Sequence, residues 1–118
     1  PVVICGGWKP GWSSDYDAVL IANDYRLNMV INLSNTDYVY DKDPNKFKDA
    51  KPIKKMSWEK LIGLVGKDWK PGMNSPFDPM ASKLAKKIGL KAINCNGHDF
   101  KNLEKILDGE EFKGTVIE

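Results

Sequence analysis

Short runs of apolar, often β-branched residues alternate along this chain with segments whose apolar residues recur every three or four positions. The first kind comprises Val2-Val3-Ile4-Cys5, Met29 to Leu33, Lys91 to Asn96 and Gly114 to Glu118. Continuous apolar runs of this length fit strands covered on both faces, as in a parallel sheet. Between them lie three helical patterns with start and stop residues in place. Ser57 precedes Trp58, Leu61, Ile62 and Val65, and Gly66 follows. Asp78-Pro79 precedes Ala81, Leu84, Ala85 and Ile88, and Gly89 follows. Asp99 precedes Phe100, Leu103, Ile106 and Leu107, and Gly109 follows. Ser or Asp at the cap, Pro at the first helical position and Gly past the last turn are preferred for local steric and hydrogen-bonding reasons. A further helix runs from about Asp15 to about Tyr25. Ser14 and Asp17 resemble a capping box, with Ala18, Ile21, Ala22 and Tyr25 on one face. Alternation of this kind predicts an α/β fold: a three-layer α/β/α sandwich with a mainly parallel sheet. Pro52 to Met56 reads as an edge strand, because Pro and Lys blunt edges. Lys67 to Phe77, with Pro71, Gly72 and Pro76, reads as irregular.

With 118 residues, 42% hydrophobic and 29% charged, the chain suits one globular domain rather than disorder. A net charge of +2 gives no case for nucleic acid or an anionic membrane, and the Lys46 to Lys55 cluster reads as solvated surface. No apolar run approaches the roughly 20 residues that span a bilayer, and no signal-peptide pattern is present. Cys5 and Cys95 both sit in strand-like runs and read as buried thiols in a reducing cytoplasm. Two cysteines and the lone His98 do not build a tetrahedral zinc site, so no protein-held metal centre is expected. His98 reads as a polar residue at the surface beside a helix cap, not a catalytic one. Pro1 stands immediately before a strand pattern, and an N-terminal part of the domain is expected to lie outside these 118 residues.

Two segments carry the functional content. Gly6 to Asp15 joins a strand to a helix through three glycines and Pro10. Free N–H groups and the helix dipole favour a phosphate there, although the spacing is not that of a Walker loop. Trp8 and Trp12 either cover a base or shield an apolar edge. Ser34 to Pro44 follows the strand Met29 to Leu33, and loops at the carboxyl ends of such strands lie over ligand crevices. Tyr38 and Tyr40 offer flat surfaces, and Ser34, Asn35 and the aspartates offer hydrogen bonds. A polar surface turn has the same composition.

Asn35-Thr36-Asp37-Tyr38-Val39-Tyr40-Asp41-Lys42-Asp43-Pro44 resembles the N-x-D-G-V-Y-D-K-D-P nucleotide loop of the amino acid kinase family, most closely its uridylate kinase branch. Gly6 to Asp15 is similar to the branch's G-G-T-x-P-G-x-(S/T)-T-D segment, with Trp8 in place of Thr. Met73 to Ala81 resembles the segment in which an Asp opens a helix near the transferring phosphoryl group, and Gly114-Thr115-Val116-Ile117 resembles the closing G-T-x-I strand. The resemblance covers essentially the whole chain and implies the C-terminal, ATP-binding part of the fold. It implies phosphoryl transfer from ATP to UMP with Mg²⁺. Ser34, Asn35, Tyr40 and Asp43 would hold ATP. Gly7, Trp8, Lys9, Pro10, Gly11, Trp12, Ser13 and Ser14 would hold UMP. Asp15 and Asp78 would be catalytic, orienting Mg²⁺ or catalytic cations, and Asp78 serves equally as a helix cap. The resemblance also implies a homo-hexamer for the full enzyme and little activity for this part alone. An enzyme of the same fold with another acceptor, or a non-catalytic nucleotide-binding module, are the alternatives. One position departs: the family has Gly where this chain has Tyr38. A positive φ there would strain Tyr38, or else the loop differs locally.

Overall fold

A computed structural model describes residues 2–66 and 75–118. Its elements are α1 (Ser14–Asp24), β1 (Met29–Ser34), β2 (Val39–Tyr40), β3 (Pro52–Ile53), β4 (Lys55–Met56), α2 (Trp58–Val65), α3 (Pro79–Ile88), β5 (Lys91–Asn96), α4 (Phe100–Asp108) and β6 (Thr115–Ile117). Four strands form one sheet in the order β1-β5-β6-β4. β1 runs parallel to β5 and β4 parallel to β6, while β5 and β6 are antiparallel. β2 and β3 make a separate antiparallel pair.

The period of two along the strands divides the core. Ala92 and Val30 pack with residues of α1, α2 and α3, together with Met56 and Ile117. Ile93 and Cys95 face the other way, against Ile106 of α4 with Met29, Ile31 and Phe112. The result is the expected three-layer α/β/α sandwich. α3 presents Ala81, Ser82 and Ala85 as buried small residues, which lets α1 and α2 pack closely against it.

The three cap–stop pairs hold. Ser57, Asp78 and Asp99 each accept from a backbone N–H in the first turn of α2, α3 and α4. Gly89 and Gly109 end α3 and α4 in the left-handed conformation. Trp58 anchors α2. Its Nε1–H donates to the Leu90 carbonyl at 2.8 Å, and its ring lies 5.4 Å from that of Phe77. Trp58→Phe keeps much of the apolar area but leaves that buried carbonyl without its donor. Denaturant unfolding is expected to show a loss of about 2 kcal/mol. An unchanged midpoint would mean that the indole N–H contributes nothing.

Several sequence expectations are corrected. Val2 to Cys5 forms no strand: Val2 and Ile4 are more than nine-tenths exposed and Cys5 is exposed. A strand exists only through its ladder partners, and β1 pairs only with β5 among the described strands. Only Cys95 is a buried thiol. Burial, with the charge of Asp99 adding to it, pushes its pKa up and keeps it protonated. The cap of α1 is Ser13, not Ser14. The helix buries Asp17, Val19 and Ala22, while Ala18 and Tyr25 stay exposed. In α4, Ile106 points inward, but Phe100 and Leu107 are 72% and 67% exposed. Asn102 takes the inward place because its side chain and the Lys113 backbone exchange two hydrogen bonds, each 2.7 Å. Pro52 to Met56 is split at Lys54, whose carbonyl accepts from Val116 N–H as the chain passes between sheets. Of the segment expected to be irregular, Ser75 to Phe77 is so; residues 67–74 lie outside the described residues. His98 is exposed, as expected.

Candidate functional site

A crevice of about 580 Å³ opens at the carboxyl end of β1. Ser34, Asn35, Tyr40 and Asp43 all line it, and Asp15 joins them from the first turn of α1. Tyr38 lines it too, its ring 6.5 Å from that of Tyr40 in an edge-to-face arrangement.

The loop is held by its own side chains. Ser34 Oγ accepts from Thr36 N–H at 3.0 Å, and Thr36 Oγ1 donates to the Tyr38 carbonyl at 3.0 Å. Asn96 at the end of β5 donates from Nδ2 to Asp37 Oδ1 at 3.1 Å. Asp43 Oδ1 accepts from Asn45 N–H at 2.9 Å, and Pro44 leads the chain through one tight turn. Arg26 is the only non-glycine with a positive φ among the described residues, so Tyr38 replaces Gly without backbone strain. The Val39–Tyr40 pair hangs on Thr115 of β6. Its Oγ1 accepts from Val39 N–H at 2.8 Å and donates to the Ile53 carbonyl at 2.5 Å.

Two aspartates meet below the crevice. Asp15 Oδ2 accepts from Asp78 N–H at 2.8 Å. Asp78 accepts from Met80 N–H on Oδ1 at 2.8 Å and from Ser13 Oγ on Oδ2 at 2.5 Å. Asp78 is 3% exposed and does not line the crevice, whereas Asp15 does. Burial raises the Asp15 pKa; the Asp78 N–H opposes this, and the Asp78 charge adds to it. Asp78→Ala removes a helix cap worth about 1 kcal/mol and leaves Ser13 Oγ without its charged acceptor. The expected loss is about 2 kcal/mol in denaturant unfolding, with Asp78→Asn milder because it still caps α3. Equal losses for the two would remove capping as the cause.

The Gly-rich segment lies beside this crevice rather than in its lining. Gly7 to Trp12 is exposed, and Trp12 N–H closes a turn on the Lys9 carbonyl. Pro10 and Gly11 occupy its centre, and Gly11 has φ +87°, the conformation that a type II turn needs at its second central position. The Trp8 and Trp12 rings stand 5.9 Å apart, with Tyr16 a further 4.3 Å from Trp12 and Lys9 Nζ 4.3 Å over Trp8. Ser13 is committed to its cap and to Asp78, while Ser14 is exposed as the first helical residue.

Two polar residues here escaped the sequence expectations, and Asp17, expected in a capping box with Ser14, has another role. Asp17 is 8% exposed and accepts from Trp8 N–H at 3.2 Å, tying the Gly-rich loop to α1. Asn32 and Asn94 face each other across β1 and β5. Asn32 Nδ2 donates to Asn94 Oδ1 at 3.0 Å and to the Pro76 carbonyl at 2.5 Å, fixing the approach to Asp78. Their signal was an amide inside each of two apolar strands.

Among known proteins, the chain is 38% identical over 117 residues to a uridylate kinase of Methanobrevibacter smithii, covering 98% of this chain and 52% of that protein. A uridylate kinase of Sulfurisphaera tokodaii is 37% identical over 122 residues. The crystal structure of the Archaeoglobus fulgidus uridylate kinase superposes with a TM-score of 0.79 at 31% identity, over 96% of this chain and 50% of that one. The chain thus spans about half the length of the relatives it matches. The profile of the amino acid kinase family matches residues 2–95, and with the sheet order and crevice described above, this chain belongs to the amino acid kinase family.

Proposed function

We propose that this chain is the donor-nucleotide part of a uridylate kinase, with an N-terminal part of the domain lying outside these 118 residues. The whole enzyme moves the γ-phosphoryl group of ATP to UMP, releasing ADP and UDP. The observation that carries this reading is that Ser34, Asn35, Tyr40 and Asp43 converge with Asp15 on one crevice, of a size that suits a nucleotide. The relatives named uridylate kinase support the choice of acceptor.

Phosphoryl transfer depends on positioning and on neutralising charge. Tyr40 stacks along the base or ribose of the donor. Asn35 and Asp43 hydrogen-bond the donor, and Ser34 holds the loop in shape through Thr36. A Mg²⁺ ion would fit here, because Asp15 brings a carboxylate to the crevice, and one or two carboxylates completed by phosphate oxygens and water are its usual ligand set. When bound, the ion neutralises charge on the transferring group. Asp15 supplies that carboxylate. Asp78 acts as a positioning residue: its N–H holds Asp15 and its side chain caps α3. Gly7 to Ser14 holds UMP, with the α1 N-terminus toward its phosphate and the Trp8, Trp12 and Tyr16 rings as an apolar wall. The enzyme acts in the cytoplasm, in pyrimidine nucleotide synthesis, as a homo-hexamer.

The test is ADP formation from ATP and Mg²⁺ by this chain together with the remainder of its domain, with UMP, CMP and small acids as acceptors. Turnover that requires UMP is expected. The 118-residue chain alone is expected to bind ATP in calorimetry and to turn over little. ATP binding without turnover on any acceptor, in the completed domain, would overturn the kinase reading in favour of a nucleotide-binding module.

A further inference from the structure

A second cleft of about 610 Å³ lies between α4 and β6, on the side of the sheet away from α1 to α3. We propose that it is a binding site for a small organic phosphate carrying a flat ring.

Four lysines line it, Lys54, Lys101, Lys105 and Lys113, against two carboxylates, Asp99 and Glu111. None of these lysines belongs to the ion pairs formed among the described residues, which engage Lys42, Lys46, Lys55 and Lys86 instead. Asp99 is occupied as the cap of α4 through Oδ1. The cleft therefore carries an excess of two positive charges, which matches a phosphate dianion.

Lysines scattered over a surface serve solubility, but these four, though exposed, line one cleft. Asn102 is buried and exchanges its two 2.7 Å hydrogen bonds with the Lys113 backbone. That clamp fixes the turn between α4 and β6, so the lysines on either side of the cleft stand on a set frame. Phe112 is half-buried against Ile93, Cys95 and Ile106, and also lines the cleft. Tyr38 lines the cleft as well. Cations beside aromatic faces are what a ring-bearing phosphate requires. Tyr38 also lines the first crevice, so a ligand here touches a residue of the other site.

The experiment titrates the ¹⁵N-labelled 118-residue chain with phenyl phosphate and, separately, with inorganic phosphate. Neither probe carries a nucleoside, so the result is independent of the kinase reading. Phenyl phosphate is expected to give saturable shifts at the amides of residues 101–105 and 112–116, with affinity several-fold above that of inorganic phosphate. The double substitution Lys101→Glu with Lys105→Glu is expected to weaken binding by about tenfold or more, since two attractive charges become repulsive. Lys83→Glu with Lys87→Glu, on α3, leaves it unchanged. Phe112→Leu keeps an apolar core residue and lowers the phenyl phosphate affinity toward that of inorganic phosphate. Equal affinity for the two probes overturns the ring specificity. Shifts that do not saturate, or binding indifferent to the Lys101 and Lys105 changes, overturn the site.

Discussion

Thr115→Val is expected to lower the thermal midpoint of this domain by about 10 °C. Valine matches threonine in shape, so packing is conserved and only the hydroxyl is lost. That hydroxyl is wholly buried and serves two backbone groups at once, the Val39 N–H and the Ile53 carbonyl. Leaving a buried polar group unpaired costs about 1–3 kcal/mol, so two come to roughly 3 kcal/mol or more. At about 4 °C per kcal/mol, a domain of this size shifts by the stated amount. Thr115→Ser, which retains the hydroxyl, should recover most of it. The same substitution frees β2 and β3 from the main sheet, and with them Tyr40 at the crevice, so donor affinity should fall as well. A calorimetric midpoint within about 2 °C of the parent would show that water or rearranged backbone replaces the hydroxyl.

Asp15→Asn is expected to separate stability from activity. In the completed enzyme, turnover should drop by on the order of 100-fold or more, the usual loss when one electrostatic contact to the reacting group is removed. Folding stability should move the other way at neutral pH. Burial raises the folded-state pKa of Asp15 above its ordinary value of 3.8, with the Asp78 N–H opposing and the Asp78 charge reinforcing the shift. The folded state then holds its proton more tightly than the unfolded state does. Stability from this group is complete below pH 3.8 and is lost as pH rises through the raised folded value. The asparagine carbonyl still accepts from Asp78 N–H and carries no charge to desolvate. The variant should therefore unfold at higher denaturant than the parent at about pH 7, the advantage vanishing at about pH 3. A variant less stable than the parent at about pH 7 would show that the carboxylate is stabilising where it stands. Gains of stability at the expense of function are a common mark of a working site.

What was legible in the sequence was local. Ser57, Asp78 and Asp99 announce helix starts because a cap bonds within its own first turn, and the glycines announce stops because left-handed backbone suits them. The β5 run is apolar on both faces because both faces are covered. Ser34, Asn35, Tyr40 and Asp43 sit in one contiguous segment, so the sequence shows them together, although Thr115 and Asn96 hold that segment in place. Most of the departures depend on partners that the local pattern does not record. Val2 to Cys5 has strand composition, but composition supplies no ladder partner. Phe100 and Leu107 fit an inward stripe, yet the Asn102 bonds to Lys113 turn α4 away from it. Two adjacent serines offered two caps for α1, and Asp78, 65 residues from Ser13, receives the hydroxyl of the one that serves. The roles of Thr115 and the Asn32–Asn94 pair have the same origin. Each bonds across the fold, and no periodicity records it.

β6 sits between β5 and β4, although its residues come last among the strands. Synthesis therefore delivers the middle of the sheet after its flanks. While the chain is being made, β4 and the β6-facing edge of β5 wait with unpaired backbone until residues 115–117 emerge. β1 meanwhile has to find β5 across a register that joins Met29 to Lys91. Pairings this distant favour slow folding, and open edges in the waiting state favour association with other chains. Yield in the cell should therefore respond to translation speed and to chaperones that shield strand edges, more than the stability of the finished domain would suggest.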